Sequence, residues 1–170
     1  MTPLRSWSGP QRLLAALFVL GLCAGWAVAL LNIHDKSTDS GRLPFSMVSV
    51  IDRYRGEGWT EGAAGEGAMS YSHLIDITHV HAFSIPMLLL LAGGLFTLTG
   101  ASDPLKRWVL AASFADHWAN MGSLWAIRYG PQPRLWAIVL MVSGILMTVG
   151  FVVMAFFTLR DLLCDRTEAK

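Results

Sequence analysis

Four apolar stretches, each long enough to cross a lipid bilayer, leave this chain few folds to choose from. Leu13–Leu31 contains no charged residue, and Leu135–Leu159 contains no ionisable one. The other two run from about Ser72 to Gly100 and from about Trp108 to Ile127. At about 1.5 Å of rise per residue, roughly 20 helical residues cover a hydrocarbon core. Lipid admits only segments that satisfy their backbone hydrogen bonds internally. The expected fold class is therefore all-α, with residues 1–170 forming one integral membrane domain. Its spans fall at about 13–31, 72–100, 108–127 and 135–159, with an external loop at 32–72. The links ASDPLKR and RYGPQPR are short, and Gly130, Pro131 and Pro133 turn the second tightly. Spans two to four should then be antiparallel neighbours in an up-down four-helix bundle.

Composition enters as a check on that reading. Only 15% of residues are charged and 54% are hydrophobic, against about 25% charged in a soluble domain. A net charge of +1 without a basic cluster gives no footprint for nucleic acid. Cys23 sits in the first apolar run and Cys164 in the polar tail, which excludes a disulfide framework and the CxxCH of covalent haem attachment. The basic flank and Ala27–Ala29 resemble a signal peptide with a cleavage site, but the apolar run exceeds a typical signal core, so it reads as a retained helix.

Finer features carry further expectations. Gly21 and Gly25 form a GxxxG packing motif. Phe45–Tyr54 has the uneven apolar spacing of a short helix lying on the membrane surface, and GEGWTEGAAGEGAMS is the most flexible part of the loop. Pro86 removes the amide that would bond to Ala82, so a bend is expected just beyond His81. Arg5, Arg12, Lys106, Arg107, Arg160, Arg166 and Lys170 fall on one side. Lys36, Arg42, Arg53, Arg55, Arg128 and Arg134 fall on the other, where loop acids offset them. The positive-inside rule then puts both termini in the cytoplasm and the long loop outside, which is the periplasm if the cell is bacterial.

Chemistry concentrates in HLIDITHVHAFSIP, residues 73–86, which carries His73, Asp76, His79 and His81 at the mouth of the second span. The third span adds Asp116, His117 and Asn120. Ionisable groups inside a span are costly and mark sites by default. His79 and His81 lie about 200° apart on a helix and cannot share one metal ion. Asp76 is spaced to accept the second N–H of His73 or His79. His81 lies about 13 Å into its span and His117 about 16 Å into the antiparallel one, so they sit at similar depth. Ser113, His117, Asn120, Met121 and Arg128 share one face of the third span, and Ala115, Ala119 and Ser123 form a small-residue ladder opposite.

At DITHVHAFSIPMLLLLAGGLF the chain resembles a group of small bacterial inner-membrane proteins of four spans, with a T-H-x-H-x-F signature opening the second helix. In size and span number it is also similar to cytochrome b561-like and superoxide-oxidase-like proteins. That likeness implies a dihaem four-helix bundle. It departs from their pattern in having no histidine within spans one and four.

The leading expectation is non-covalent haem b with His81 and His117 as axial ligands and Met121 as an alternative. His79, Asp76, His34 and His73 would form a second site nearer the outer surface, or meet the haem propionates together with Arg128. Electrons would pass between membrane quinol and a periplasmic cytochrome or a larger membrane complex, making the chain the electron-transfer subunit of an oxidoreductase. A second reading is a copper or zinc site from His34, His73, Asp76 and His79. A third is a proton or quinone relay, or a small transporter, using Asp76, Asp116 and His117. A fourth is a cofactor-free accessory or scaffold subunit whose buried polar groups fix helix packing. No GxSxG, HExxH or phosphate-binding glycine loop is present.

Overall fold

The computed structural model describes residues 3–38, 46–62 and 67–164, and its regular elements are helical. Among these residues the α-helices are α1 (Gly9–Thr38), α2 (Met47–Arg55), α3 (Tyr71–Thr97), α4 (Asp103–Tyr129) and α5 (Pro133–Leu163), with short 3-10 turns at Leu4–Ser6 and Trp59–Glu61. Residues 63–66 of the glycine-rich stretch, and Arg42, Arg166 and Lys170 of the charge tally, lie outside the described residues.

Local chemistry sets most helix boundaries. The Ser70 hydroxyl accepts the His73 amide at 3.2 Å and caps α3. Ser46 caps α2 by accepting the Ser49 amide at 3.1 Å. Prolines open α4 and α5, where a missing N–H costs nothing. Gly56 ends α2 with φ of 99°, a conformation open to glycine and strained for other residues. Pro86 does not interrupt α3, which continues through it to Thr97.

Three helices are long and apolar enough to cross a membrane: Gly9–Asn32 within α1, Tyr71–Thr97 and Pro133–Leu163. Leu14 (72% exposed), Leu90 (68%) and Ile145 (64%) face outward from them, which suits lipid rather than water as solvent. α4 is equally long but carries Asp103, Lys106, Arg107, Asp116 and Arg128, which lower its hydropathy.

The four long helices alternate in direction. Leu4 packs with Leu98 and Leu162 at the end bearing both termini, called here the terminal end. Met69, Tyr54 and Ile127 meet at the other, the loop end. α5 is the central helix: it packs most extensively on α4, and also on α1, α3 and α2. α1 leans mainly on α5, where Trp26 stacks on Phe151 at 4.9 Å between ring centroids.

The glycines and small residues expected to drive packing divide by face. Gly21 and Gly25 are exposed with nothing within 4 Å of a built Cβ, so the GxxxG makes no contact within the chain. Ala115 and Ala119 also point outward, and only Ser123 of that ladder is buried. Close approach falls instead to Gly93, against Leu110, and to Gly150, against Ser113.

The short helix expected in Phe45–Tyr54 is α2, Met47–Arg55, with Phe45 itself outside the described residues. It caps the loop end of α4 and α5, with Ile51 fully buried and Tyr54 nearly so. Arg55 holds it there by donating to the carbonyls of Ile127 (2.6 Å) and Gly130, at the last turn of α4, while stacking on Trp59. Burial raises the Tyr54 phenol above its usual range, and burial with the nearby Arg128 charge lowers Arg55 from its own.

At the terminal end Asp161 is the buried hub. Only 1% exposed, its carboxylate accepts from Arg5 (3.0 Å), Arg160 (2.9 Å) and the Gly100 amide (2.5 Å). Arg12 adds bonds to the carbonyls of Leu162 and Cys164. The N-terminal turn, the α3–α4 link and the end of α5 are thereby tied together.

Candidate functional site

α3 turns one face into the protein and one outward. Leu74, Thr78, Ile85, Leu89 and Phe96 make up the inner face, and Thr78 accepts the Trp125 indole N–H at 2.9 Å. His81 stands at the edge of that face, half-buried, with Nδ1 2.8 Å from the Ile77 carbonyl. That contact makes Nδ1 the protonated nitrogen and leaves Nε2 as the ring's acceptor.

His117 lies opposite on α4 and is completely buried. Neither ring nitrogen has a hydrogen-bond partner among the described residues, and the same holds for the Ser113 hydroxyl one turn away. Buried polar atoms are rarely left so, since each costs about 1–3 kcal/mol unpaired. His81 lies between Thr78 and Gly93 on α3, and His117 between Leu110 and Trp125 on α4, so the contacts that join these two helices bracket both. The two are thus neighbours across the α3–α4 seam, but not level. Thr78 meets Trp125 and Gly93 meets Leu110, a register that sets His117 more than one turn nearer the terminal end than His81, roughly 7.5 Å. Span length alone suggested near-equal depth because it carries no information on how the helices slide.

The remaining expected site residues disperse. Met121 is buried in an apolar cluster with Leu74, Leu124 and Ile127. Asn120 reaches α5, donating to Ser143 Oγ at 3.1 Å and the Leu140 carbonyl at 3.3 Å. Arg128 donates to the Met69 carbonyl at 3.0 Å and lies against Tyr129, so it serves the loop end rather than the histidine pair. Asp116 is half-buried beside His117 in sequence but on another face of α4. His79 is exposed, edge-on to Phe83 at 5.4 Å. His73 and Asp76 are exposed on α3, and His34 is exposed on α1.

Among the described residues no three His, Cys, Asp or Glu side chains come together as a metal ion would need. The copper or zinc grouping of His34, His73, Asp76 and His79 is therefore not assembled in this chain. The physical reason is placement: the last three project outward from α3, whereas His34 belongs to a helix that leans on α5.

Two features of the interior escaped sequence reasoning. Asp161 sits at the edge of a charged tail and reads there as solvated. Ser143 and Thr158, both buried in α5, were hidden inside its most hydrophobic run, and Thr158 Oγ1 is another buried atom without a partner among the described residues.

No curated protein and no solved structure matches this chain. Residues 44–169 match the model of a family described as a transmembrane helical domain. The match begins just before α2 and takes in α3, α4 and α5, while α1 lies ahead of it. The chain belongs to that family of transmembrane helical domains.

Proposed function

We propose that this is a four-span inner-membrane protein that holds haem b at the α3–α4 seam and passes electrons between quinol and a periplasmic redox partner or parent complex. The observation that carries the reading is His117, fully buried with both ring nitrogens unpartnered, beside a His81 whose Nδ1 is already committed. Two imidazoles on facing helices are a fitting donor set for haem iron. Bound there, haem would supply reversible one-electron chemistry. The protein's own part is to exclude water through Leu89, Met121 and Leu124, and to fix the His81 ring through Ile77.

The wider architecture supports this frame. α4 packs on both α3 and α5, which supports reading it as a fourth span at their depth. Arg5, Arg12, Lys106, Arg107 and Arg160 belong to the terminal end, which favours cytoplasmic termini. α2 and its loop would then face the periplasm.

One observation favours a second reading, a cofactor-free accessory subunit of a larger membrane complex. His81 and His117 are offset by more than one turn, where a shared iron asks for convergence. A reduced-minus-oxidised spectrum of the detergent-purified protein, with a pyridine haemochrome assay, separates the two. Near-stoichiometric haem b, lost in His81→Ala and His117→Ala and kept in His73→Ala, is the expected result. A colourless protein, or haem retained in all three variants, overturns the proposal.

A further inference from the structure

The outward face of α3 does not look like a lipid-facing surface throughout. Asp76, Phe83, Met87 and Gly94 follow one another down the helix within about 20° of a common line, flanked by His79 and Leu90 on one side and Val80 and Leu91 on the other. All eight are exposed, Phe83 at 68% and Met87 at 60%. Apolar members of this stripe are at home in lipid. Asp76 and His79 are not, because an ionisable side chain on the outer face of a span is expensive without a partner. Neither forms a hydrogen bond or ion pair among the described residues; His79 makes only its ring contact with Phe83.

We infer that this face is the contact between two copies of the chain, paired about a two-fold axis along the membrane normal. The stripe carries one acid and one base at its loop end, so it is complementary to itself. Under such an axis the two α3 helices run parallel at equal depth, and Asp76 and His79 differ in height by only about 4.5 Å. Each carboxylate then accepts from the other copy's imidazole N–H, giving two reciprocal contacts, as an isologous interface requires. Farther down, Gly94 presents no side chain and has nothing within 4 Å of a built Cβ, which lets the helices approach closely. Phe83 and Met87 fill the space between. The copper or zinc reading and the dimer use the same exposed residues differently: a metal needs a third ligand from elsewhere in the chain, whereas the dimer needs only a second α3.

The test is disulfide trapping of the full chain in native membranes, with Cys23→Ala and Cys164→Ala as background. Phe83→Cys and Met87→Cys, each alone, should give a covalent species of twice the chain mass on mild oxidation. Val142→Cys, exposed at 48% on α5, should not. Adding Asp76→Asn removes both reciprocal contacts and should reduce trapping by about ninefold, at about threefold for each interhelical polar contact in a membrane. The exchange Asp76→His with His79→Asp preserves the complementarity and should restore it. Trapping at Phe83 and Met87 no greater than at Val142, or a cross-link only to a different protein, overturns the dimer. Trapping indifferent to Asp76→Asn overturns the pairing that defines it.

Discussion

His117 is surrounded by protein on every side, yet its imidazole has no hydrogen-bond partner among the described residues. Replacing an unpartnered buried polar group with an apolar one is near neutral or stabilising. His117→Leu should therefore leave the cofactor-free protein as stable as the parent, within about 1 kcal/mol, while abolishing haem binding. Leu124→Ala, two turns away and also buried, should cost about 2–4 kcal/mol. Thermal unfolding in detergent compares the two. A large loss of stability in His117→Leu would mean the imidazole is held by bonds that make it structural. Asp161 gives the opposite case, since three donors converge on it. Asp161→Ala should destabilise by about 1–2 kcal/mol, a modest figure because both guanidiniums can turn to water. At this scale the sequence was informative about residue type but not about depth. It set His81 and His117 at near-equal depth without knowing how α3 and α4 slide, and it had no means of telling Asp161 from the solvated charges that follow it. That difference lies in tertiary bonds to Arg5 and Gly100, residues far away along the chain.

The α4–α5 seam is where the helices pack most extensively, and Gly150 sets its spacing. A methyl group there would run into the Ser113 hydroxyl, which itself lacks a partner among the described residues. Gly150→Ala should cost about 1–3 kcal/mol, the usual penalty for overpacking. Ser113→Ala should cost almost nothing and should relieve most of the Gly150→Ala penalty when the two are combined. A coupling of about 1 kcal/mol in a double-mutant cycle of unfolding midpoints is the expected outcome. Additive effects would place the contact elsewhere. Helix positions were largely legible because apolar runs and prolines bracket them. Packing faces were not: Gly21, Gly25, Ala115 and Ala119 all have the right spacing for close approach, yet all point outward. Small residues permit contact without compelling it, and which face turns inward depends on larger neighbours such as Leu110, Trp125 and Phe151.

For the whole molecule, the decisive question is how α4 stands to the membrane. Three helices qualify as spans by length and composition, and α4 falls short because its ends are charged and Asp116 and His117 interrupt it. Its packing argues for a fourth crossing all the same. α4 bonds to Thr78 of α3 through Trp125 and to Ser143 of α5 through Asn120, and the proposed fourth crossing rests on those contacts. Two consequences follow for the links at its ends. Ser102 precedes α4 and Gln132 follows it, both exposed. In the Cys23→Ala, Cys164→Ala background, Gln132→Cys in intact cells whose outer membrane has been opened should react with a membrane-impermeant maleimide. Ser102→Cys should react only after the inner membrane is disrupted. Labelling of both residues from outside would mean that α4 does not cross. Labelling of Ser102 alone would keep the four spans and reverse the orientation, moving α2 and its Arg55 clamp to the cytoplasmic side. The balance of basic residues between the two ends is close, so the labelling pattern, rather than the charges, decides the orientation.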